Sequence, residues 1–484
     1  MWLFTKQEAK EADLLTQASG TSEELLMERA GIASAEQIIQ KFRTSKKAKI
    51  SVAVFCGPGH NGGDGLVLAQ TLLSLGWQVQ MIGFQTSKSS ALRRKKESEF
   101  KGSVWTLDQF YSSTEVFDIW VDALFGTGLN RDLPIEMQNL IQQLNQKAGF
   151  KVSLDCPTGL DAGSGKIFGR CFKADLTLAV ERPKTGFFLN RGPEHCGQIR
   201  TLKIGFSKET LSNFKSCYLL SRKLTKRWIP ERLPTDHKGK GGRSFIWAGS
   251  RQMPGACILA GHAAARVGAG YIYVSEIEAL RFLPEAIPLD FSRLSEIDSA
   301  LIGPGLGVNP KTLKAIQSLK SLKIPVVIDA DALTILSQNS ESLLPLPQNW
   351  IATPHAGELS RILGISTQEI EADRLTAARL GQKKLGCILV LKGFHTVIAL
   401  AKLSLIINTG NVALAKGGSG DVLAGMITGF LAQGVMPERA ALLASYVHGL
   451  IADQWIQTGK DLLSLMPSDL LETIPQTLAE LRKS

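Results

Sequence analysis

Three aspartates and a set of glycines in the first third of the chain carry the earliest sign of chemistry. Gly57, Gly59 and Gly62 satisfy G-x-G-x-x-G within VAVFCGPGHNGGDGLVLA, directly after an apolar run and before a helical one. Glycines at that spacing let the backbone turn tightly and offer helix N-terminal amides to an anion. Asp64 lies in the same loop, Asp122 in VDALFGTGL and Asp155 in SLDCPTGLDAG, each at or just after the expected end of a strand. Crevices beyond such strand ends are where doubly wound sheets bind ligands. A single aspartate there would serve as a helix cap or turn former. Three of them beside GPGHNGGDG, GTGL and PTGLDAG point instead to a functional cluster. An NAD dehydrogenase would also carry an acid at the tip of the next strand to hold a ribose, but VQMIGF runs into Gln85. GLDAGSGK is not a Walker loop either: Leu160 replaces its first glycine, and Ile167 its Ser or Thr.

A second set of signals follows. HKGKGGRSFIWAGS (237–250), GPGLG (303–307), VVIDADAL (326–333), TPHAGE (353–358) and LKGFHT (391–396) precede GGSGDVLAG. In the last, Gly417, Gly418 and Gly420 leave amides open at a helix start, suited to a phosphoryl group in transfer. Asp421 would stand beside that turn, able to take the proton from a hydroxyl being phosphorylated; the bland reading is an acid favoured by the helix dipole.

The elements that must position these residues alternate between strand and helix. Thr21, with Glu24 three residues on, reads as the capping box of a first helix, LLMERAGIASAEQII. Strands are expected at 50–55, 79–84, 119–125, 151–155 and 198–206, then at 244–249, 269–275, 300–303, 325–330, 350–354 and 387–393, with helices alone after Val422. Apolar strands separated by amphipathic helices imply parallel sheets covered on both faces. The pattern lapses over 207–235, ending in Pro230 and Pro234, so two α/β domains are expected at 1–222 and 223–484.

Composition narrows the class. The chain has 484 residues, 44% of them hydrophobic and 20% charged, the balance of a globular protein. Its seven cysteines are scattered, without a C-x-x-C pair, as expected of reduced thiols in the cytoplasm. No basic-then-apolar leader opens MWLFTKQEAKEADLL, and no apolar run reaches the roughly 18 residues of a membrane span. The formal charge of +11 draws on Arg93-Arg94-Lys95-Lys96, which lacks interleaved aromatics and reads as a solvated helix face rather than a nucleic-acid site. A basic balance also suits a polyanionic small molecule.

GPGHNGGDG, VDALFGTGL and SLDCPTGLDAG, in this order after an LMERAG helix, resemble the NAD(P)H-hydrate epimerase family over residues 1–205. The resemblance implies that Asn61, Asp122 and Thr158 ligate potassium. It implies a substrate site of His60, Asn61, Gly62, Gly63 and Asp64, the loop Gly126, Thr127, Gly128, Leu129, Asn130, Arg131 and Asp132, and Asp155. His60 departs from the family's usual Asn, although an imidazole also donates a hydrogen bond. Asp155 is the expected catalytic group. It would protonate the ring hydroxyl of the hydrate as that leaves, and water would return to either face of a cation stabilised by the ring nitrogen.

Residues 225–460 resemble the ribokinase-like fold, and their motifs its NAD(P)H-hydrate dehydratase branch. By that resemblance Gly305, His355 and Asp421 bind the hydrate. Lys392, Gly393, Phe394, His395, Thr396 and Gly420 bind the nucleotide, Asp421 is catalytic, and Glu358 acts on magnesium. His262, His395 and His448 receive no chemical role of their own. The expectation is therefore a Rossmann-like doubly wound domain followed by a ribokinase-like α/β domain, interconverting R- and S-NAD(P)HX and dehydrating the S form with ADP, or alternatively ATP. The implied partners are NADHX, NADPHX and ADP, with potassium and Mg2+ as cofactors, in a cytoplasmic homo-oligomer without nucleic acid or membrane. One competing reading makes the N-terminal domain a non-catalytic binding or RNA-associated scaffold, against which Asp64, Asp122 and Asp155 speak; the other is a vitamin-precursor kinase of the ribokinase-like superfamily with an accessory N-terminal binding domain. TPHAGE and the leading motifs argue against it.

Overall fold

The computed structural model describes residues 1–45, 47, 49–84, 89–289 and 291–483; Gln85 lies outside them. The polypeptide forms two compact units, Trp2–Cys217 and Tyr218–Ser484.

In the first unit, β1 (Ser51–Cys56), β2 (Gln78–Gly83), β3 (Ser103–Trp105), β4 (Ile119–Ala123), β5 (Phe150–Leu154), β6 (Leu176–Val180) and β7 (Gln198–Leu202) form a parallel sheet in the order β3-β2-β1-β4-β5-β6-β7. Val52, Ala53, Val54, Phe55 and Cys56 are all fully buried, as a strand covered on both faces requires. The chain order reverses between β1 and β4, so the crevice at their C-terminal ends is a topological switch point. The short β3 and the strand β6 go beyond the sequence reading. LTLAV inserts between the two strands expected to close the unit, because Leu154 pairs with Leu178.

Helix α1 (Lys6–Ala18), which the sequence reading omitted, precedes α2 (Glu23–Phe42). Ser22, not Thr21, caps α2: its backbone is extended and its hydroxyl accepts from the Leu25 amide at 3.2 Å. The basic run lies in α4 (Ala91–Glu99), after α3 (His60–Ser74), but only half of it is a solvated face. Arg93 and Lys96 are buried: Arg93 Nε donates to the Gly57 carbonyl at 3.1 Å, and Lys96 meets Glu24 and Glu28 at 2.9 Å. Arg93 thus braces the glycine turn and Lys96 ties α4 to the acids of α2, while Arg94 and Lys95 face water.

In the second unit, β8 (Arg243–Trp247), β9 (Tyr271–Val274), β10 (Ala286–Pro288), β11 (Ser299–Ile302), β12 (Val326–Ile328), β13 (Ile351–Ala352), β14 (Ile388–Leu391), β15 (Val397–Ala399) and β16 (Ser404–Ile406) run in the order β16-β15-β14-β13-β12-β11-β8-β9-β10. The sheet is parallel except where β14, β15 and β16 meander antiparallel. The sequence reading missed β10, β15 and β16, each three residues long and too short to show a period. The stretch 207–235 is also structured, with helices Lys208–Ser212 and Arg222–Lys226. Helix α5 (Pro254–Arg266) packs backbone to backbone on α7 (Ser419–Ala432), which follows α6 (Ala356–Leu363). A Cβ on Gly425 would lie 2.2 Å from the Ala260 carbonyl oxygen, and one on Gly429 2.6 Å from that of Ala264, so only glycine allows this approach. No described helix is long and apolar enough to cross a membrane.

Candidate active sites

At the switch point of the first unit, the Gly57 amide donates to the Ala123 carbonyl at 2.9 Å. A Cβ on Gly57 would sit 1.9 Å from the Leu124 oxygen, and one on Gly62 would sit 2.0 Å from the Gly57 oxygen. These glycines are therefore dictated by close backbone approach. Residues 60–64 are the first turn of α3, capped by Gly59, rather than a loop. Gly65, next along, lets this helix press against Ala123, where a Cβ would lie 2.6 Å from that side chain.

A cavity of about 540 Å³ opens there, lined by His60, Asn61, Asp64, Gly126, Thr127, Gly128, Leu129, Asn130, Arg131 and Asp155. Gly62 and Gly63 lie behind this lining, packed on Gly57 and Met27, and Asp132 stands outside it. His60 Nε2 is 2.8 Å from Glu23 Oε1 at the exposed rim. Asp122 is fully buried below the cavity. It accepts from the Thr158 hydroxyl at 2.6 Å, the Thr158 amide at 2.8 Å and the Leu124 amide at 3.2 Å. Burial pushes its pKa up to about 6, against the pull of those hydrogen bonds. Asn61 is buried as well, yet neither atom of its amide has a hydrogen-bond partner. An unpaired buried amide costs about 1–3 kcal/mol and calls for a ligand.

Asp155 sits at the tip of β5 with a φ of +59°, in the left-handed region that few residues other than glycine adopt, aspartate among them. Its Oδ1 accepts from the Val180 amide at 3.1 Å and from the ammonium of Lys184. Lys184 is buried and also donates to the Val180 carbonyl at 3.2 Å. The other oxygen, Oδ2, lies 3.6 Å from the position of a Cβ on Gly126, next to Asn61. One oxygen is thus pinned and the other turned to the cavity. Burial, followed by repulsion from Asp155 and Asp13, raises the Asp64 pKa well above the usual range. Asp13 of α1 lines the same cavity, where desolvation and then Asp155 push it up to about 6. Sequence reasoning missed both Asp13 and Lys184. Asp13 carries no local signal on α1, whereas recognising β6 would have shown that ERPK directly follows a strand end.

The second unit gathers its residues at the C-terminal ends of β12, β13 and β14, opposite the start of α7. A cavity of about 750 Å³ is lined by His355, Lys392, Gly393, Phe394, His395, Thr396, Gly420 and Asp421, together with Asp329, Ser419 and His448. Gly305, with a φ of +69°, lies outside this lining beside Met253 and Ala256. Lys392 Nζ is 2.8 Å from Asp329 Oδ1 and 3.9 Å from Glu358 Oε2. Burial lowers the Lys392 pKa, but the carboxylates of Asp329 and Glu358 outweigh it, and the net shift is upward. The same ammonium lies 3.4 Å from the position of a Cβ on Gly420, so it stands over the anion turn. Burial and then the Asp329 charge raise Asp421 to about 7, with Lys392 opposing. Asp421 lies in the first turn of α7 two residues past its start, not at the first position.

His355 caps α6. Its Nδ1 accepts from the Gly357 amide at 2.9 Å, while Glu358 Oε2 accepts from the His355 amide at 2.8 Å. Phe394 and His395 stack with ring centroids 4.1 Å apart, and Phe394 is exposed, a platform suited to a base.

Residues 23–186 match the model of the YjeF-related protein N-terminus, and residues 245–476 that of NAD(P)H-hydrate dehydratase. A bifunctional NAD(P)H-hydrate repair enzyme of Moorella thermoacetica is 33% identical over 100% of this chain and 98% of its own. The chain belongs to the bifunctional NAD(P)H-hydrate repair enzyme family. The Escherichia coli member is 34% identical over 88% of this chain and 84% of its own. A Bacillus subtilis ADP/ATP-dependent NAD(P)H-hydrate dehydratase, co-crystallised with ATP and Mg2+, superposes with a TM-score of 0.50 at 31% identity. That match covers 55% of this chain and 98% of the B. subtilis one. A ribokinase-like superfamily protein of Enterococcus faecalis also gives a TM-score of 0.50, at 29% identity over 55% of this chain and 97% of its own. The repair family's two modules therefore correspond to the two sheets, Rossmann-like first and ribokinase-like second.

Proposed function

We propose that the first cavity interconverts the R and S hydrates of NADH and NADPH, and that the second dehydrates the S form with ADP. The observation that carries the first assignment is Asp155, with one oxygen held by buried Lys184 and the other facing the cavity. Asp155 exchanges a proton with the ring hydroxyl as water leaves and returns. Asp64, whose pKa is raised well above the usual range, holds a proton more readily, and Asp13, raised to about 6, can exchange one near neutral pH, so both are able to serve the opposite face of the ring.

Asn61, Asp122 and Thr158 fit potassium. The unpartnered Asn61 amide, a carboxylate and a hydroxyl are hard oxygen donors in a buried place. Bound there, the ion would supply positive charge that offsets buried Asp122 and fixes the cavity floor.

In the second cavity Asp421 takes the proton of the hydrate hydroxyl as that oxygen attacks the terminal phosphorus of ADP and AMP departs. Phosphate then leaves the ring carbon, a proton is lost from the neighbouring carbon, and the dihydronicotinamide is restored. Lys392 draws the phosphates to the turn at Gly420. Glu358 and Asp329 offer carboxylates to Mg2+, which would neutralise phosphate charge. We propose, further, a cytoplasmic homo-oligomer, consistent with seven buried free thiols. The test is mixed NADHX epimers with ADP, followed at the NADH absorbance. Complete recovery with wild type and arrest at the R hydrate with Asp155→Asn are expected; no nucleotide-dependent recovery would overturn the reading.

A further inference from the structure

A serine and a histidine meet at the start of α7, and their arrangement is not that of a nucleophilic pair. His448, on α8 (Pro437–Gln457), is buried, with Nε2 3.1 Å from the Ser419 carbonyl and 3.2 Å from Ser419 Oγ. A carbonyl oxygen only accepts, so Nε2 carries the proton and is shared between the two oxygens of Ser419. The imidazole is neutral, since burial lowers its pKa to about 4. An Nε2 that donates cannot deprotonate the serine, which excludes the nucleophile reading. Because Nε2–H occupies one lone pair of Oγ, the serine's own proton turns away from the ring. Ser419 lines the nucleotide cavity beside Gly420 and Asp421.

We infer that the Ser419 hydroxyl donates a hydrogen bond to the phosphoryl group in transfer, and that His448 is the positioning residue that aims it. This rests on the dehydratase reading above and adds a side-chain donor to the amides of the anion turn. No bond is made to Ser419; the phosphoryl group passes directly from the nucleotide to the hydrate.

The test uses full-length protein, S-NADHX and ADP. Removing one donor of this kind typically lowers kcat about 100- to 1,000-fold. Ser419→Ala should show such a loss with KM for ADP nearly unchanged, and Ser419→Thr should recover most of it. His448→Leu should lower kcat in the same way, while His448→Gln, whose amide places N–H near Nε2, restores most of the loss. The double variant Ser419→Ala/His448→Leu should be no slower than Ser419→Ala. Unchanged kcat in Ser419→Ala, multiplicative losses in the double variant, or labelling of Ser419 by a fluorophosphonate would each overturn the inference. An unchanged Tm of the second unit's calorimetric transition in the same samples reports that the variants fold. Absence of ADP-dependent recovery in wild type would instead sink the dehydratase reading, which separates the two failures.

Discussion

Replacing Asp421 with asparagine tests the chemistry and the electrostatics of the second cavity together. The carboxyl is raised from 3.8 to about 7, mainly by burial and then by Asp329. At about 1.4 kcal/mol per pKa unit, ionising it in the folded protein costs on the order of 4 kcal/mol. The folded pKa lies above the unfolded one, so this carboxyl's contribution to stability is most favourable below pH 4, falls as pH rises to 7, and is flat beyond. Asparagine carries no such cost. Its stabilising effect should be near zero at pH 4 and grow to a few kcal/mol at pH 8, read by calorimetry as a rise in Tm of the second unit's transition. At the same time, losing a positioned general base should lower dehydration about 100- to 10,000-fold. Wild-type dehydration should itself decline below pH 7 as Asp421 is protonated. Chromatography resolving both hydrates and NADH should show epimerisation continuing at its normal rate. A Tm difference that does not vary with pH, or equal slowing of both reactions, would refute the reasoning.

Four further outcomes are expected. Asp122→Ala should impair epimerisation but not dehydration of the S hydrate, and the rise in wild-type Tm in KCl over LiCl should vanish in it, as measured by differential scanning fluorimetry. Lys184→Met leaves Asp155 without its buried partner and should destabilise the first unit by about 3–5 kcal/mol in chemical denaturation, with epimerisation lost. Gly57→Ala would push a methyl to 1.9 Å from the Leu124 oxygen, so the expected result is a lower Tm and little epimerase activity in an assay of R-hydrate disappearance. Chains 1–222 and 223–484, expressed separately, should each retain one activity in the same chromatographic assay.

What the sequence disclosed was mostly what a continuous stretch can encode. Apolar runs ending in glycine loops marked the strand tips and with them Asp122 and Asp155, the glycine turn before a helix marked Asp421, and two sheets followed. Lys184 and Asp13 could not, because they reach Asp155 only through folding, from a strand read past and a helix not expected. The Arg93 run misled because charge in a helix ordinarily faces water, whereas here acids of α2 draw Lys96 inward. His448 received no chemical role from the sequence, and only the fold brings it from α8 to the border of the nucleotide cavity. Ser22 in place of Thr21 is a one-residue shift between two residues equally able to cap.

The glycines of α7 set a limit on how the second cavity can adapt. With Gly425 and Gly429 seated on the backbone of α5, α7 can neither roll nor slide without a collision between main chains. The phosphate-binding turn is therefore held like the fixed jaw of a vice, and any closing on a ligand falls to the opposing wall at Phe394 and His395. On the proposed assignment, choice among bases rests with that wall, while the place of phosphoryl transfer stays anchored to the core.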